Sequence, residues 1–237
     1  MKRAAVPLLS VLAAVGLVVA VWGVFVRAPL QVNTDPLGNV IGGLFFNQKI
    51  FYFHVAHAFM LFLGVFVCGL ASVGYLKQRD PRWDDVALAA AEVAAVFGLV
   101  VLVTGSIWAK AAWDIWWSWE KRLTMSLLLW LTLVGYVMVR RFAGLGSERM
   151  AAGLAVFASV LIPFIYIMVD KSDRHPQAGS KGNVATLDPA MKPWFWLSVV
   201  TFLCWFLLLM ISRVGAARAE RQLRELRERG LDAGVLT

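Results

Sequence analysis

Apolar and polar positions come in blocks along this chain. Residues 7–26 form about twenty consecutive positions without a charge, enough at about 1.5 Å of rise per residue to cross a hydrocarbon core of about 30 Å. Further apolar blocks follow at 50–76, 86–103, 123–139, 150–169 (interrupted by Pro163) and 194–211. The pattern predicts an all-α integral membrane protein with six transmembrane helices and no soluble second domain, so residues 1–237 form one polytopic membrane domain. The first block follows Met-Lys-Arg as a signal peptide would. It is longer than a signal h-region and has no small-residue cleavage site at its end, which predicts an uncleaved first span.

The polar stretches between the blocks set the expected orientation. Residues 27–49 hold Pro29, Asp35, Pro36, Gly38, Gly42 and Gly43 and read as a loop, residues 77–85 as a short turn, and residues 170–193 as a second long loop. Six spans place both termini on one side. The N-terminus, the second and fourth connections and the C-terminal tail hold fourteen of the 23 Lys/Arg, whereas the much longer first, third and fifth connections hold nine. The denser set belongs in the cytoplasm, which puts both termini there and both long loops outside. The tail, residues 213–237, pairs Arg221 with Glu225 and Arg224 with Glu228 at i,i+4. It is expected to form a short amphipathic cytoplasmic helix, solvated and weakly held.

Composition agrees with this pattern. The chain is 60% hydrophobic and 16% charged, with a mean hydropathy of +0.70, outside the range of soluble domains. Its net charge of +8 sits in short clusters between apolar runs, which indicates orientation in a lipid bilayer and argues against nucleic acid as a partner. Cys68 and Cys204 lie within apolar runs without a CxxC motif and are expected to be buried free thiols. No GxSxG, HExxH, GxGxxG or Walker A pattern occurs, so no enzyme chemistry is expected. Glu92, near a span boundary, is expected to snorkel or to pair with Arg79 or Arg82.

The segment 104–124, TGSIWAKAAWDIWWSWEKRLT, departs from every simple rule. Trp108, Trp113, Trp116, Trp117 and Trp119 fall within twelve residues, beside Lys110, Asp114, Glu120, Lys121 and Arg122. An interfacial aromatic belt accounts for Trp22, Trp194 and Trp196 but needs only one or two rings per helix end. Charged residues exclude a buried span, and water gives no reason to display five indoles, so the segment reads as an external amphipathic surface between the third and fourth helices. Were residues 113–119 helical, Trp113, Trp116 and Trp117 would share one broad face, able to lie on the bilayer or against a flat ligand.

The chain has three histidines. His54 and His57 lie near the outer end of the second span, and His175 follows the outer end of the fifth. A single histidine at a span boundary is ordinarily a satisfied interfacial group. Three converging on one membrane face beside a shelf of indoles suit a planar iron porphyrin, with imidazoles as ligands and cationic side chains for its propionates. Cys68 is too deep to complete a tetrahedral zinc site with the pair on the second span.

The stretches WDIWWSWEKRLTMSLLLW, KIFYFHVAHAF and DRHPQ together resemble the CcmC family of cytochrome c maturation: its tryptophan-rich WWD signature continuing into Arg122-Leu123-Thr124, and its two histidine motifs. The likeness covers essentially the whole chain. It implies a non-catalytic subunit of the bacterial cytoplasmic (inner) membrane that holds haem b at its periplasmic face. His54 and His175 would be the axial iron ligands, and Trp108, Trp113, Trp116, Trp117, Trp119, Glu120 and Arg122 would line the site, with His57 and Lys121 as additional candidates. It also implies delivery of haem to the chaperone CcmE, assistance from the small subunit CcmD, and ATP hydrolysis by the ABC transporter components CcmA and CcmB. Several positions depart from the family pattern: Asp114 stands for a usual Gly, Glu120 for Asp, Lys121 for a small residue and Ala56 for Pro, and His57 is extra. Glu120 keeps its charge, and Lys110 and Lys121 are placed to offset Asp114. The related CcsA/ResC haem-handling components share a WWD segment but have more spans, and a membrane scaffold without haem would keep the aromatic face alone.

Overall fold

The computed structural model describes residues 2–30, 32–43, 45–144, 146–169 and 187–234. Among the described residues six α-helices carry the fold: α1 (Lys2–Trp22), α2 (Lys49–Gln78), α3 (Pro81–Trp113), α4 (Lys121–Phe142), α5 (Ser147–Val169) and α6 (Lys192–Asp232). All six contain segments long and apolar enough to cross a membrane. Between α1 and α2 lie a π turn (Gly23–Arg27), a small antiparallel hairpin of β1 (Val32–Thr34) and β2 (Val40–Gly43), and a 3-10 turn (Phe45–Gln48). The hairpin is structure that the loop reading of residues 27–49 did not anticipate. Its turn is organised by the Asp35 carboxylate, which accepts from the Leu37 and Asn39 amides at 2.9 and 2.8 Å and from Asn39 Nδ2 at 2.9 Å. The Asn39 bonds hold the Asp35 carboxyl below its usual pKa, and Gly38 supplies the positive φ of 86° that the reversal requires.

Helix α2 packs on α3 and α5, α1 on α6, and α4 on both α3 and α5. The α2–α3 reversal is encoded locally. Arg79 ends α2 in the left-handed region at φ 58°, the Asp80 carboxylate caps α3 by accepting from the Arg82 amide at 2.9 Å, and Pro81 takes the first helical position, where no donor is needed. Small residues let these two helices approach. Ala87, Ala90, Ala91 and Ala94 are buried on α3, and a Cβ on Gly64 would stand 2.8 Å from that of Ala94.

One end of the bundle is tied by ion pairs. Arg140 on α4 bonds Asp84 on α3 and, at 3.2 Å, Glu148 on α5. Glu92 accepts from Arg141 at 2.6 Å and from Arg213, and Glu220 pairs with both of those arginines at 3.3 and 3.1 Å. The expected partners of Glu92 are therefore corrected. Arg82 lies ten positions away on the same helix, about 15 Å along its axis, and pairs with Asp80 at 3.4 Å. The weakly held tail is corrected too: α6 runs unbroken through 41 residues, and its extension is pinned to α3 through Arg213 and Arg221.

Candidate functional site

At the opposite end, the third span extends beyond the expected boundary at residue 103. Thr104 to Trp113 complete α3, since Ala109, Lys110, Ala111 and Ala112 are good helix formers and nothing there breaks the ladder. Asp114 then stops the helix in the left-handed region at φ 57°, with its carboxylate 2.5 Å from Lys110 Nζ. Residues 114–120 are the connection, and Lys121 opens α4. The tryptophan segment is thus a helix end, a link and a helix start. Trp113 is the last residue of α3 and Trp116 and Trp117 lie on the link, so the shared helical face conceived for those three is not formed.

The N-terminus of α2 is fastened beside this segment. Asn47 Nδ2 donates to the Ala111 carbonyl at 3.0 Å, Gln48 Nε2 contacts Met191 Sδ at 3.1 Å, and Lys49 Nζ donates to the Ala28 carbonyl at 2.6 Å. These ties bring His54, on the second turn of α2, against the last turns of α3. Its Nδ1 is 2.9 Å from Thr104 Oγ1, and the Trp108 ring stands edge-on at 5.8 Å between centroids and 78° between planes. Phe51 holds the indole from another side at 6.5 Å.

His57 goes elsewhere. Its Nδ1 donates to the Phe53 carbonyl of its own helix at 2.7 Å, and its ring lies 4.0 Å from that of Phe202 on α6 and 5.4 Å from that of Phe97 on α3. It borders an apolar cavity of about 200 Å³ that Leu17, Val100, Trp205 and Leu209 also line. His54 and His57 share a helix side loosely, as three-residue spacing predicts, but face different neighbours.

Of the remaining candidates, Glu120 and Arg122 pair at 3.2 Å where α4 begins, both largely buried. Trp117 and Trp119 meet edge to face at 5.9 Å. Trp116 and Trp119 are exposed, Trp113 is partly buried, and Lys121 is exposed. The indole N–H groups of Trp108 and Trp117 are buried and have no acceptor among the described residues. Such donors are costly to leave unmatched, and a ligand carboxylate is one group that would satisfy them. His175 lies outside the described residues. Among the described residues no group of three His, Cys, Asp or Glu could hold a bare metal ion, and both cysteines are free and buried. Haem asks for something different, namely imidazole nitrogen, ring faces and donors for propionates, and His54, Trp108, Trp117 and Arg122 are of those types. Thr104 and Gly105 were not singled out from the sequence; only the spacing of Thr104, one turn before Trp108, could have marked it.

Comparison with known proteins agrees with this chemistry. Residues 1–229 match the family model described as CcmC, heme exporter protein C. The heme exporter protein C of Escherichia coli K12 is 32% identical over 220 residues, 88% of this chain and 82% of the relative. That of Bradyrhizobium diazoefficiens is 29% identical over 182 residues, 75% of this chain and 69% of the relative. A putative ccmC-like mitochondrial protein of cytochrome c biosynthesis from Marchantia polymorpha is 34% identical over 124 residues, about half of each chain.

Proposed function

Because the chain belongs to the heme exporter protein C family, a family of non-catalytic, haem-handling membrane subunits of cytochrome c maturation, we propose that it presents haem b at the periplasmic end of its helix bundle and delivers it to the chaperone CcmE. The membrane is the bacterial inner membrane, with both termini cytoplasmic and the tryptophan segment outside. CcmD assists, and CcmA and CcmB supply ATP hydrolysis. In this reading haem is cargo. His54 and His175 hold its iron from opposite sides, the indoles of the segment contact the macrocycle, and Arg122 with the Trp108 and Trp117 N–H groups faces its propionates.

The observation that carries the proposal is the clustering at one bundle end of His54, Trp108 and Thr104, with a buried indole donor lacking an acceptor among the described residues. The placement supports a haem site because Thr104 holds the imidazole, apolar surface adjoins it, and a buried N–H is of the kind a carboxylate satisfies. The basic flanks support the orientation.

The test is reconstitution of the purified chain with haem, followed by transfer to CcmE. Wild type should develop a Soret band and load the chaperone, and His175→Ala should abolish loading. A chain that develops no Soret band would be a scaffold, and unaltered loading by His175→Ala would remove that residue from the ligand pair. A periplasmic reporter fused after Asp114 should be active; activity only for a fusion after Asp80 would invert the topology.

A further inference from the structure

We propose that Thr104 is a positioning residue that sets the tautomer and ring orientation of His54, making Nε2 the atom offered to haem iron. The proposal rests on the reading of His54 as an iron ligand given above. A threonine hydroxyl has one proton. Thr104 Oγ1 lies 2.6 Å from the Val100 carbonyl oxygen and donates to it, as hydroxyls in apolar helices do when they bond back one turn. The same oxygen lies 2.9 Å from His54 Nδ1. With its proton committed, Oγ1 can only accept there. Nδ1 therefore carries a proton, and as long as that bond is kept metal ligation has only Nε2 to use.

The bond also joins two helices. His57 gives its Nδ1 proton to a carbonyl of its own helix, an arrangement that leaves the ring's direction to α2. His54 is tied instead to α3, one turn before Trp108, whose ring stands edge-on to the imidazole. Between them Gly105 leaves room, since a Cβ there would be 3.2 Å from His54 Cε1. The turn of α3 that faces His54 thus supplies an acceptor, a gap and an aromatic wall, and it continues into the tryptophan segment. Coupling the imidazole to that helix, rather than to its own, keeps ring and indoles in one register. An outer-shell acceptor on a ligating histidine also raises the basicity of the ligating nitrogen.

The full chain, haem-free in lipid nanodiscs and labelled with ¹⁵N-histidine, allows a test that needs no cargo. Long-range ¹H–¹⁵N correlation distinguishes a protonated from a bare ring nitrogen, and His54→Gln identifies the signals. Wild type and Thr104→Ser should show His54 protonated on Nδ1. Thr104→Val, and the smaller Thr104→Ala should valine impair folding, should shift His54 toward the Nε2-protonated form. Haem titration of the same samples should show about tenfold or greater weakening in Val and Ala, the scale for loss of an outer-shell partner, with Ser close to wild type. A His54 that keeps Nδ1 protonated in the Val and Ala variants, or a Ser variant as weak as Val, would overturn the assignment. His54→Ala that binds haem as tightly as wild type would instead defeat the ligand reading, a result the haem-free spectra do not share.

Discussion

Arg221 grips Asp85 across 136 positions of sequence, with Nε 3.1 Å from Oδ1 and Nη2 3.1 Å from Oδ2. The Asp85 side chain is only 4% exposed, and Arg221 also pairs with Glu225 one turn along at 2.9 Å. This clasp turns the extension of α6 from a solvated tail into a part of the bundle, because a nearly buried carboxylate needs a partner and a forked guanidinium meets it with two donors.

Arg221→Ala should loosen that extension by about 2 kcal/mol, the scale of hydrogen bonds to a charged group, or about thirtyfold in local amide exchange. Hydrogen exchange over residues 213–232 measures it. Rates equal to wild type would mean that the pair adds nothing to the docking of the helix.

The two histidines of α2 should separate cleanly. His54→Ala is expected to lose haem binding, whereas His57→Ala should retain it and instead disturb packing at Phe202, where the rings lie 4.0 Å apart. Parallel absorption and resonance Raman spectra of the two variants decide the matter. A haem-bound His54→Ala beside a haem-free His57→Ala would exchange their roles.

The buried indole donors of Trp108 and Trp117 allow a test of carboxylate recognition. Phenylalanine keeps a ring but removes the N–H, so Trp108→Phe and Trp117→Phe should each weaken haem binding by up to about tenfold, the worth of roughly one hydrogen bond. Haem dimethyl ester, which lacks the carboxylate charge, should bind wild type and variants with a smaller difference. Equal losses for haem and its ester would point to ring packing instead.

Gly105→Leu should displace His54, since even a Cβ at this position would come within 3.2 Å of the imidazole. Haem affinity is expected to fall while the ion pairs at the far end, Asp85 with Arg221 among them, stay intact. Exchange over residues 213–232 then serves as the control, and a variant that binds haem like wild type would show that the ring has room to move.

Six spans and the short turn over residues 77–85 were legible in order along the chain. Each follows from neighbours: an apolar run of sufficient length, and a short polar stretch between two such runs. The unbroken α6 was legible too, in the Ala, Arg, Glu and Leu that follow Ile211, but a boundary drawn on hydropathy alone ended it early. The place of His175 is one expectation that the described residues do not reach.

What only the tertiary structure decided are pairings between distant positions. Glu92 meets Arg141 and Arg213, and His54 finds Thr104 while His57 finds Phe202. Hydropathy and propensity act over a few residues and settle which segments become helices. Which face of one helix meets which face of another depends on how small residues let backbones approach and on where each helix stops. The shift of ten residues in the end of α3, and the turn that Asp114 makes there, set what stands beside the histidine.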